Sequence, residues 1–147
     1  MAREIRTDVR IRASQGQVWR VLTDFPSYPS WNPFIREISG TATPGAKLTI
    51  RLQGFGRSTT RFRPRVLAAR EPQELRWLGR LGIPGLFDGE HSFTMEPTEG
   101  GGVVFTQGET FRGVLVPFFW RALEPQTRVM FGRMNHALRS RVEAVAL

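Results

Sequence analysis

Cysteine is absent from the 147-residue chain, and histidine is scarce. Without thiols there are no disulfides, thiolate metal sites, iron–sulfur clusters or cysteine nucleophiles. His91 and His136 are the only histidines, too few for a histidine-rich metal centre. The sequence also lacks a phosphate-binding glycine loop of the dinucleotide type. We therefore expect neither a metal nor another cofactor.

Long apolar runs are missing as well. The longest, Val114 to Trp120, is far shorter than the ~20 residues that a membrane-spanning helix needs. Charged residues interrupt the first twelve positions, which leaves no apolar region of a signal peptide. We expect a cytoplasmic protein with no transmembrane segment.

What the chain does contain is typical of one folded domain covering residues 1–147. Apolar residues make up 40% and charged residues 23% of the sequence, with 11 Phe and 4 Trp. A chain of this length buries roughly 70% of its unfolded surface, enough for an ordinary hydrophobic core. Neither repeats nor linkers divide it. The sequence does not choose between a monomer and a homodimer.

Basic residues outnumber acidic ones by 21 to 13, and Lys47 is the only lysine. A positive surface attracts nucleic acid and anionic lipid, but an arginine bias is also typical of a GC-rich bacterial genome. The arginines alternate along predicted strands at positions 6, 10, 12, 61, 63 and 65. This alternation favours a solvated sheet face, and we expect no nucleic-acid partner. An adaptor that binds membranes or proteins through this face stays open.

Apolar periodicity divides the chain into strands followed by one long helix. Residues 4–12 alternate as a half-buried strand, and Ser14 is placed to cap a short helix that buries Val18, Trp19 and Leu22. Three prolines between positions 26 and 33 limit the next segment to one or two broken turns. Further strands are predicted at 34–40, 47–53, 59–70, 74–80, 90–96 and 103–112.

The last segment changes to a helical period. Met130, Met134, Leu138 and Val142 recur every four residues and predict an amphipathic helix of about 20 residues. Pro125 either kinks its start or separates a shorter helix over 118–123. Consecutive strands without helical crossovers predict an antiparallel sheet. Since only the last helix can cover its apolar face, we predict an α+β fold in which a curved seven-stranded sheet surrounds that helix.

The order of several motifs resembles that of a known superfamily. These motifs are Val18–Phe25 followed by Tyr28-Pro29-Ser30-Trp31-Asn32-Pro33, Gly45 before the Leu48 strand, Gly108–Gly113, and the terminal Met134-Asn135…Ala137-Leu138…Arg141 helix. Together they resemble the START-like, helix-grip (SRPBCC) superfamily, and most closely its polyketide cyclase/dehydrase and lipid-transport branch. The resemblance implies a cavity between sheet and last helix that holds a lipid, sterol, hormone or polyketide. A minority of the superfamily's members are enzymes, so the resemblance leaves catalysis open for this chain.

Strand parity places polar side chains on the face that should meet the helix. His91 shares its face with Phe93 and Met95, while Gln107 and Glu109 share theirs with apolar neighbours, which are Val103, Phe105 and Phe111. Two hairpin registers are open: Met95 opposite Val103 sets His91 opposite Gln107, and Met95 opposite Phe105 sets it opposite Glu109. Directly paired side chains have Cβ atoms ~5 Å apart. Either register brings His91 within reach of a polar partner.

This pattern yields a predicted ligand-binding set: Trp77, His91, Phe93, Phe105, Gln107, Glu109, Met130 and Met134. Mutual satisfaction of His91 and Glu109 inside the core is the purely structural alternative. The main functional hypothesis is binding of a small hydrophobic molecule that enters beneath the loops at 54–58 and 80–90. The alternative is a cyclase or dehydratase that acts on a polyketide-like substrate with Glu109 and His91 as acid and base. Whether the protein is an enzyme is left open.

Overall fold

The structure is a computed structural model that describes residues 2–54 and 57–146, and it confirms the predicted α+β helix-grip architecture. The strands are β1 (Arg3–Ile11), β2 (Ile35–Ser39), β3 (Thr49–Gln53), β4 (Thr59–Phe62), β5 (Arg65–Arg70), β6 (Glu74–Arg80), β7 (Asp88–Pro97) and β8 (Val103–Arg112). The helices are α1 (Gln15–Thr23), α2 (Tyr28–Trp31) and α3 (Val116–Ala146), with a 3₁₀ turn at Phe25–Ser27 before α2.

The eight strands form two antiparallel sheets rather than the expected single sheet of seven. One sheet has five strands in the order β1-β8-β7-β6-β5, and the other has three in the order β2-β3-β4. The predicted strand at 59–70 is two strands separated at Arg63 and Pro64. Pro64 has no N–H to continue a ladder. Its carbonyl instead accepts a hydrogen bond from Leu48 N at 2.8 Å, which ties the two sheets together.

The segment after β1 forms as the sequence predicts. Ser14 caps α1, its hydroxyl accepting a 3.2 Å hydrogen bond from Gln17 N. The Gln17 side chain accepts one from Ser14 N at 2.8 Å, which completes a capping box. Val18, Trp19 and Leu22 are buried. The prolines then limit the chain to the 3₁₀ turn and the four-residue α2.

Helix α3 is longer than predicted, with 31 residues, and Pro125 lies inside it. The separate short helix over 118–123 is therefore wrong. Pro125 is exposed, so its ring sits on the solvent side of the helix and the helix continues past the missing N–H. The predicted stripe of Met130, Met134, Leu138 and Val142 is buried against β1 and β8.

The core lies between the five-stranded sheet and α3, and α1 packs against the same helix. The predicted outward arginines at positions 6, 10, 12, 61, 63 and 65 are all exposed. Among the described residues, the structure contains no helix with both the length and the apolar character needed to cross a bilayer.

Candidate ligand-binding site

The β7–β8 hairpin adopts the second of the two registers that the sequence left open. Met95 lies opposite Phe105, and His91 lies opposite Glu109. Parity therefore directs His91, Gln107 and Glu109 to the face that packs on α3. Among these three, Gln107 is fully buried and His91 is 5% exposed.

His91 has a polar partner at each ring nitrogen. Its Nδ1 lies 3.3 Å from Glu109 Oε1, and its Nε2 lies 2.9 Å from Gln107 Oε1. The ring stacks on Trp77 with a centroid separation of 5.3 Å. It also meets the ring edge of Phe131 from α3 at 5.0 Å. The sheet and the helix together thus fix the position and the tilt of the imidazole.

The polar contacts continue beyond Gln107 to the edge of the sheet. Gln107 Nε2 donates to Asn135 Oδ1 at 2.7 Å and approaches the Phe131 carbonyl oxygen at 3.4 Å. Asn135 Nδ2 donates to Thr7 Oγ1 at 2.8 Å, and the Thr7 hydroxyl donates to the Gln107 carbonyl oxygen at 3.1 Å. We call this set of five side chains, Glu109, His91, Gln107, Asn135 and Thr7, the polar row.

The direction of these hydrogen bonds fixes one proton on His91. The Gln107 amide nitrogen faces two oxygens, Asn135 Oδ1 and the Phe131 carbonyl, so its Oε1 must face His91. Gln107 Oε1 can only accept, and His91 Nε2 must therefore carry a hydrogen. His91 and Glu109 form the outer pair of the polar row, with Nδ1 facing Oε1 at 3.3 Å.

Gly89 makes room for the carboxyl group of Glu109. A Cβ at position 89 would overlap Glu109 Oε2, so the absence of a side chain there lets Glu109 lie across β7 toward His91. The Glu109 side chain is 19% exposed, more than three times the exposure of His91. The polar row thus runs from a partly solvated carboxyl group into the core.

Aromatic rings surround the polar row. Phe93 contacts Trp77, His91 and Phe105 with ring centroids 5.3, 4.6 and 5.8 Å away. Met130 and Met134 are buried on the facing side of α3. The eight side chains of the predicted ligand-binding set are therefore gathered in one region, in which the imidazole, amide and carboxyl groups are surrounded by apolar ones.

With this geometry defined, comparison with known proteins gives the family. The sequence matches the family model for polyketide cyclase / dehydrase and lipid transport over residues 2–143. The chain belongs to this family. No curated protein matches it in sequence.

Solved structures similar to this chain share its fold at low identity. A START superfamily protein from Mycobacterium smegmatis has 20% identity and a TM-score of 0.71, with 97% of this chain and 98% of that chain covered. The Zhui aromatase/cyclase from Streptomyces sp. R1128 has 13% identity and a TM-score of 0.78, over 97% and 94%. A norcoclaurine synthase mutant from Thalictrum flavum, bound to a transition-state analogue, has 13% identity and a TM-score of 0.74, over 99% and 96%.

Two surface pockets lie outside the predicted site. The first, about 300 Å³, is an open groove between the 3₁₀ turn, α2 and the three-stranded sheet, with Phe25, Glu37 and Arg51 in its wall. The second, about 600 Å³, is an open depression where Arg12 to Gln17 meets Gly100 to Gly102. None of the eight predicted residues lines either pocket. Their role in ligand binding stays a prediction.

Three residues of this region are missing from the predicted set: Thr7, Phe131 and Asn135. Thr7 lies between Ile5 and Val9 on the inner face of β1, so strand parity carries a signal for it. Phe131 and Asn135 are one turn apart on α3, and Asn135 is part of the motif that indicates the family. Only the hydrogen bonds from Gln107 reveal that Thr7 and Asn135 belong with His91.

Two loops are predicted to flank the entrance, the 54–58 loop and the loop between β6 and β7. Phe55 and Gly56 of the 54–58 loop lie outside the described residues. The other loop, between β6 and β7, places Leu81 and Ile83 in solvent, and the ring of Phe87 packs against Phe111 at 5.9 Å. Within residues 2–54 and 57–146, no group of acidic, histidine or cysteine side chains is arranged to hold a metal ion.

Proposed function

We propose that the protein binds a small hydrophobic molecule with a polar head group between the five-stranded sheet and α3. The observation that supports this is the polar row, a continuous set of hydrogen-bonded side chains in an otherwise apolar interior that ends in the partly exposed carboxyl group of Glu109. Small-molecule sites in proteins are mostly apolar with a few polar groups that set the ligand's orientation.

In this proposal the polar row orients the head group and the apolar side chains hold the body. A hydroxyl or amine of the ligand donates a hydrogen bond to the Glu109 carboxyl group. Trp77, Phe93 and Phe105 then face the ligand from the sheet, and the two methionines face it from α3. Methionine side chains are unbranched and adapt to a guest of irregular shape.

The first test identifies what the protein carries. We expect native mass spectrometry of the purified chain to detect a bound species, and solvent extraction to release a compound with an aromatic or aliphatic body and one polar end. Phe105→Trp should reduce its occupancy, because the larger ring takes up space in the proposed site. Val104→Trp is the matched control, since Val104 is the neighbouring residue on the opposite face of β8.

Both variants should be checked by circular dichroism so that loss of ligand is separated from loss of fold. Equal occupancy in the wild type and in a folded Phe105→Trp variant would show that the ligand binds elsewhere. Failure of every apolar compound to bind would contradict the proposal as a whole.

The proximity of His91 to Glu109 also supports a second candidate, an enzyme of the cyclase or dehydratase type. An imidazole beside a carboxyl group can serve as base and acid, accepting a proton from a substrate carbon and returning one to an oxygen. Two proteins of similar fold are named as an aromatase/cyclase and as a norcoclaurine synthase. An enzyme should convert a poly-β-ketone analogue into a cyclised or dehydrated product, and Glu109→Gln should abolish turnover. A binding protein should saturate without forming product.

A further inference from the structure

Large apolar side chains are exposed on two segments at one end of the molecule. One segment is the β6–β7 loop, and the other runs from the end of β8 into the first turns of α3. Their five apolar side chains are between 53% and 80% exposed: Leu81, Ile83, Val114, Phe118 and Phe119. We call this surface the apolar end. Single exposed apolar residues are common on proteins, but a group of five on adjoining segments indicates a binding surface.

The two segments form a fixed surface, because backbone hydrogen bonds join them. Val114 N donates to the Gly85 carbonyl and Leu115 N to the Leu86 carbonyl, both at 3.1 Å. Gly113 has a φ of +135°, and a Cβ there would overlap the Leu86 carbonyl oxygen. The residue at this junction must therefore be glycine for the segments to approach so closely.

A ladder of rings supports the apolar end from beneath. Phe87 packs on Phe111 and Phe111 packs on Trp120, each with ring centroids 5.9 Å apart. The guanidinium of Arg3 lies 5.5 Å from the centroid of the Trp120 ring. The exposed side chains are thus presented by a packed base.

All charged side chains of the two segments are positive. Positions 80–87 and 112–123 contain Arg80, Arg112 and Arg121 and no acidic residue. The two acids at their borders are already paired, and because Asp88 offsets Arg80, Arg112 and Arg121 carry the net positive charge of the two segments. Asp88 lies 3.7 Å from Arg80 and accepts from Gly85 N, and Glu124 pairs with Arg128 at 2.8 Å.

We propose that the apolar end docks on the surface of an anionic lipid bilayer. Exposed Leu, Ile and Phe side chains next to arginines are the combination that binds at the lipid–water interface. A second copy of the chain is disfavoured as the occupant, because a symmetric pair would bring the arginines of both copies together. The β6–β7 loop is also one of the predicted entrance loops, but none of the five exposed side chains belongs to the predicted ligand-binding set, and the inference does not depend on the proposed function.

Flotation of the full chain with lipid vesicles tests the proposal. Vesicles of phosphatidylcholine mixed with phosphatidylglycerol should carry the protein, and vesicles of phosphatidylcholine alone should carry much less. Raising the salt concentration from about 0.1 M to about 1 M shortens the Debye length from about 10 Å to about 3 Å and should weaken binding.

Two sets of substitutions separate the apolar from the ionic contribution. The double substitution Ile83→Ser and Phe118→Ser removes the two most exposed side chains of the group, and it should weaken binding about tenfold or more. The triple substitution Arg80→Gln, Arg112→Gln and Arg121→Gln should also weaken it about tenfold or more. The matched control replaces Arg10, Arg63 and Arg65, which are exposed elsewhere, and lowers the net charge equally.

Three results would overturn the proposal. Unchanged flotation of the serine variant, with its fold verified by circular dichroism, would exclude insertion of the apolar end. An equal loss in the control triple variant would assign membrane binding to the arginine-rich sheet faces. Absence of vesicle binding, together with dimers that the serine substitutions dissociate, would identify the surface as a contact between copies.

Discussion

His91 illustrates how a buried titratable residue is held in one orientation. Both ring nitrogens have partners, and the chain of donors from Thr7 to Gln107 determines that Nε2 carries a hydrogen. The neutral amide of Gln107 thereby determines which hydrogen the imidazole carries, three hydrogen bonds away from Thr7. The remaining nitrogen faces Glu109, the member of the polar row best placed to meet a ligand.

Gly89 offers a way to move Glu109 without changing its chemistry. We predict that Gly89→Ala displaces the Glu109 carboxyl group, because the added methyl group overlaps Oε2 at the flexible end of that side chain. The ¹⁵N resonance of His91 Nδ1 should then shift in the same direction as it does in Glu109→Gln. The free energy of unfolding should change by no more than about 1 kcal/mol, since the strand backbone is undisturbed.

Gly132→Ala is a suitable control for this experiment. Nothing lies within 4 Å of a Cβ at position 132, on the exposed side of α3. An unchanged His91 resonance in Gly89→Ala would contradict the close packing of Glu109 against β7.

Tyr28 gives the molecule a distinct response to alkali. It is the only tyrosine, it is fully buried, and its hydroxyl donates to the Leu22 carbonyl. Burial, and secondarily the negative charge of Asp24, raises the pKa of Tyr28 above its ordinary value of 10.0. Above pH 10 the unfolded chain releases this proton while the folded chain retains it, so stability should fall as the pH rises past that value.

The single tyrosine makes this prediction direct to measure. Tyrosinate absorbance should appear together with unfolding and not before it. Tyr28→Phe should be less stable at neutral pH by about 0.5–1.5 kcal/mol, since it loses one hydrogen bond. The difference in unfolding free energy between Tyr28→Phe and the wild type should narrow above pH 10. A tyrosinate signal in the folded state would show that the phenol is open to solvent.

At the scale of elements, periodicity predicted type and order well but not every boundary. Alternation located β1, β6 and β8 closely, and the four-residue repeat located the buried stripe of α3. Periodicity did not predict the effects of Pro64 and Pro125, because the effect of a proline on a strand or a helix depends on its surroundings. In a strand that already turns between two sheets Pro64 ends the ladder, whereas on the solvent side of a packed helix Pro125 is accommodated.

The placement of Pro125 leads to a prediction about α3. Proline in a helix interior removes one backbone hydrogen bond and lowers stability by about 3 kcal/mol relative to alanine. Pro125 is exposed, so its replacement should not disturb the core. We expect Pro125→Ala to raise the thermal unfolding midpoint, measured by circular dichroism at the helix signal. A lower midpoint would mean that proline at this position favours the packing of α3 on β1.

For the whole molecule, the sequence predicted the fold and the location of the candidate site better than it predicted the state of the interior. Parity alone placed His91, Gln107 and Glu109 on the inner face, where the structure has them. Parity did not decide between the two registers of the β7–β8 hairpin, and only the structure of the whole hairpin does. Whether the rings around His91 enclose a guest or fill the space themselves is not encoded in residue type, since core and cavity use the same apolar side chains.

The division into two sheets raises the question of whether they unfold together, as the predicted single domain requires. Hydrogen bonds from Leu48 N to the Pro64 carbonyl and from Val66 N to the Ala46 carbonyl, both 2.8 Å, join them where β4 ends. Ile50 of the three-stranded sheet and Leu75 of the five-stranded sheet belong to one buried cluster. We therefore expect one cooperative transition, with far-ultraviolet circular dichroism and tryptophan fluorescence giving coincident midpoints in urea. Exchange of the β2–β4 amide protons with solvent at a free energy well below that of global unfolding would contradict this, because it would show that the smaller sheet opens independently of the helix grip.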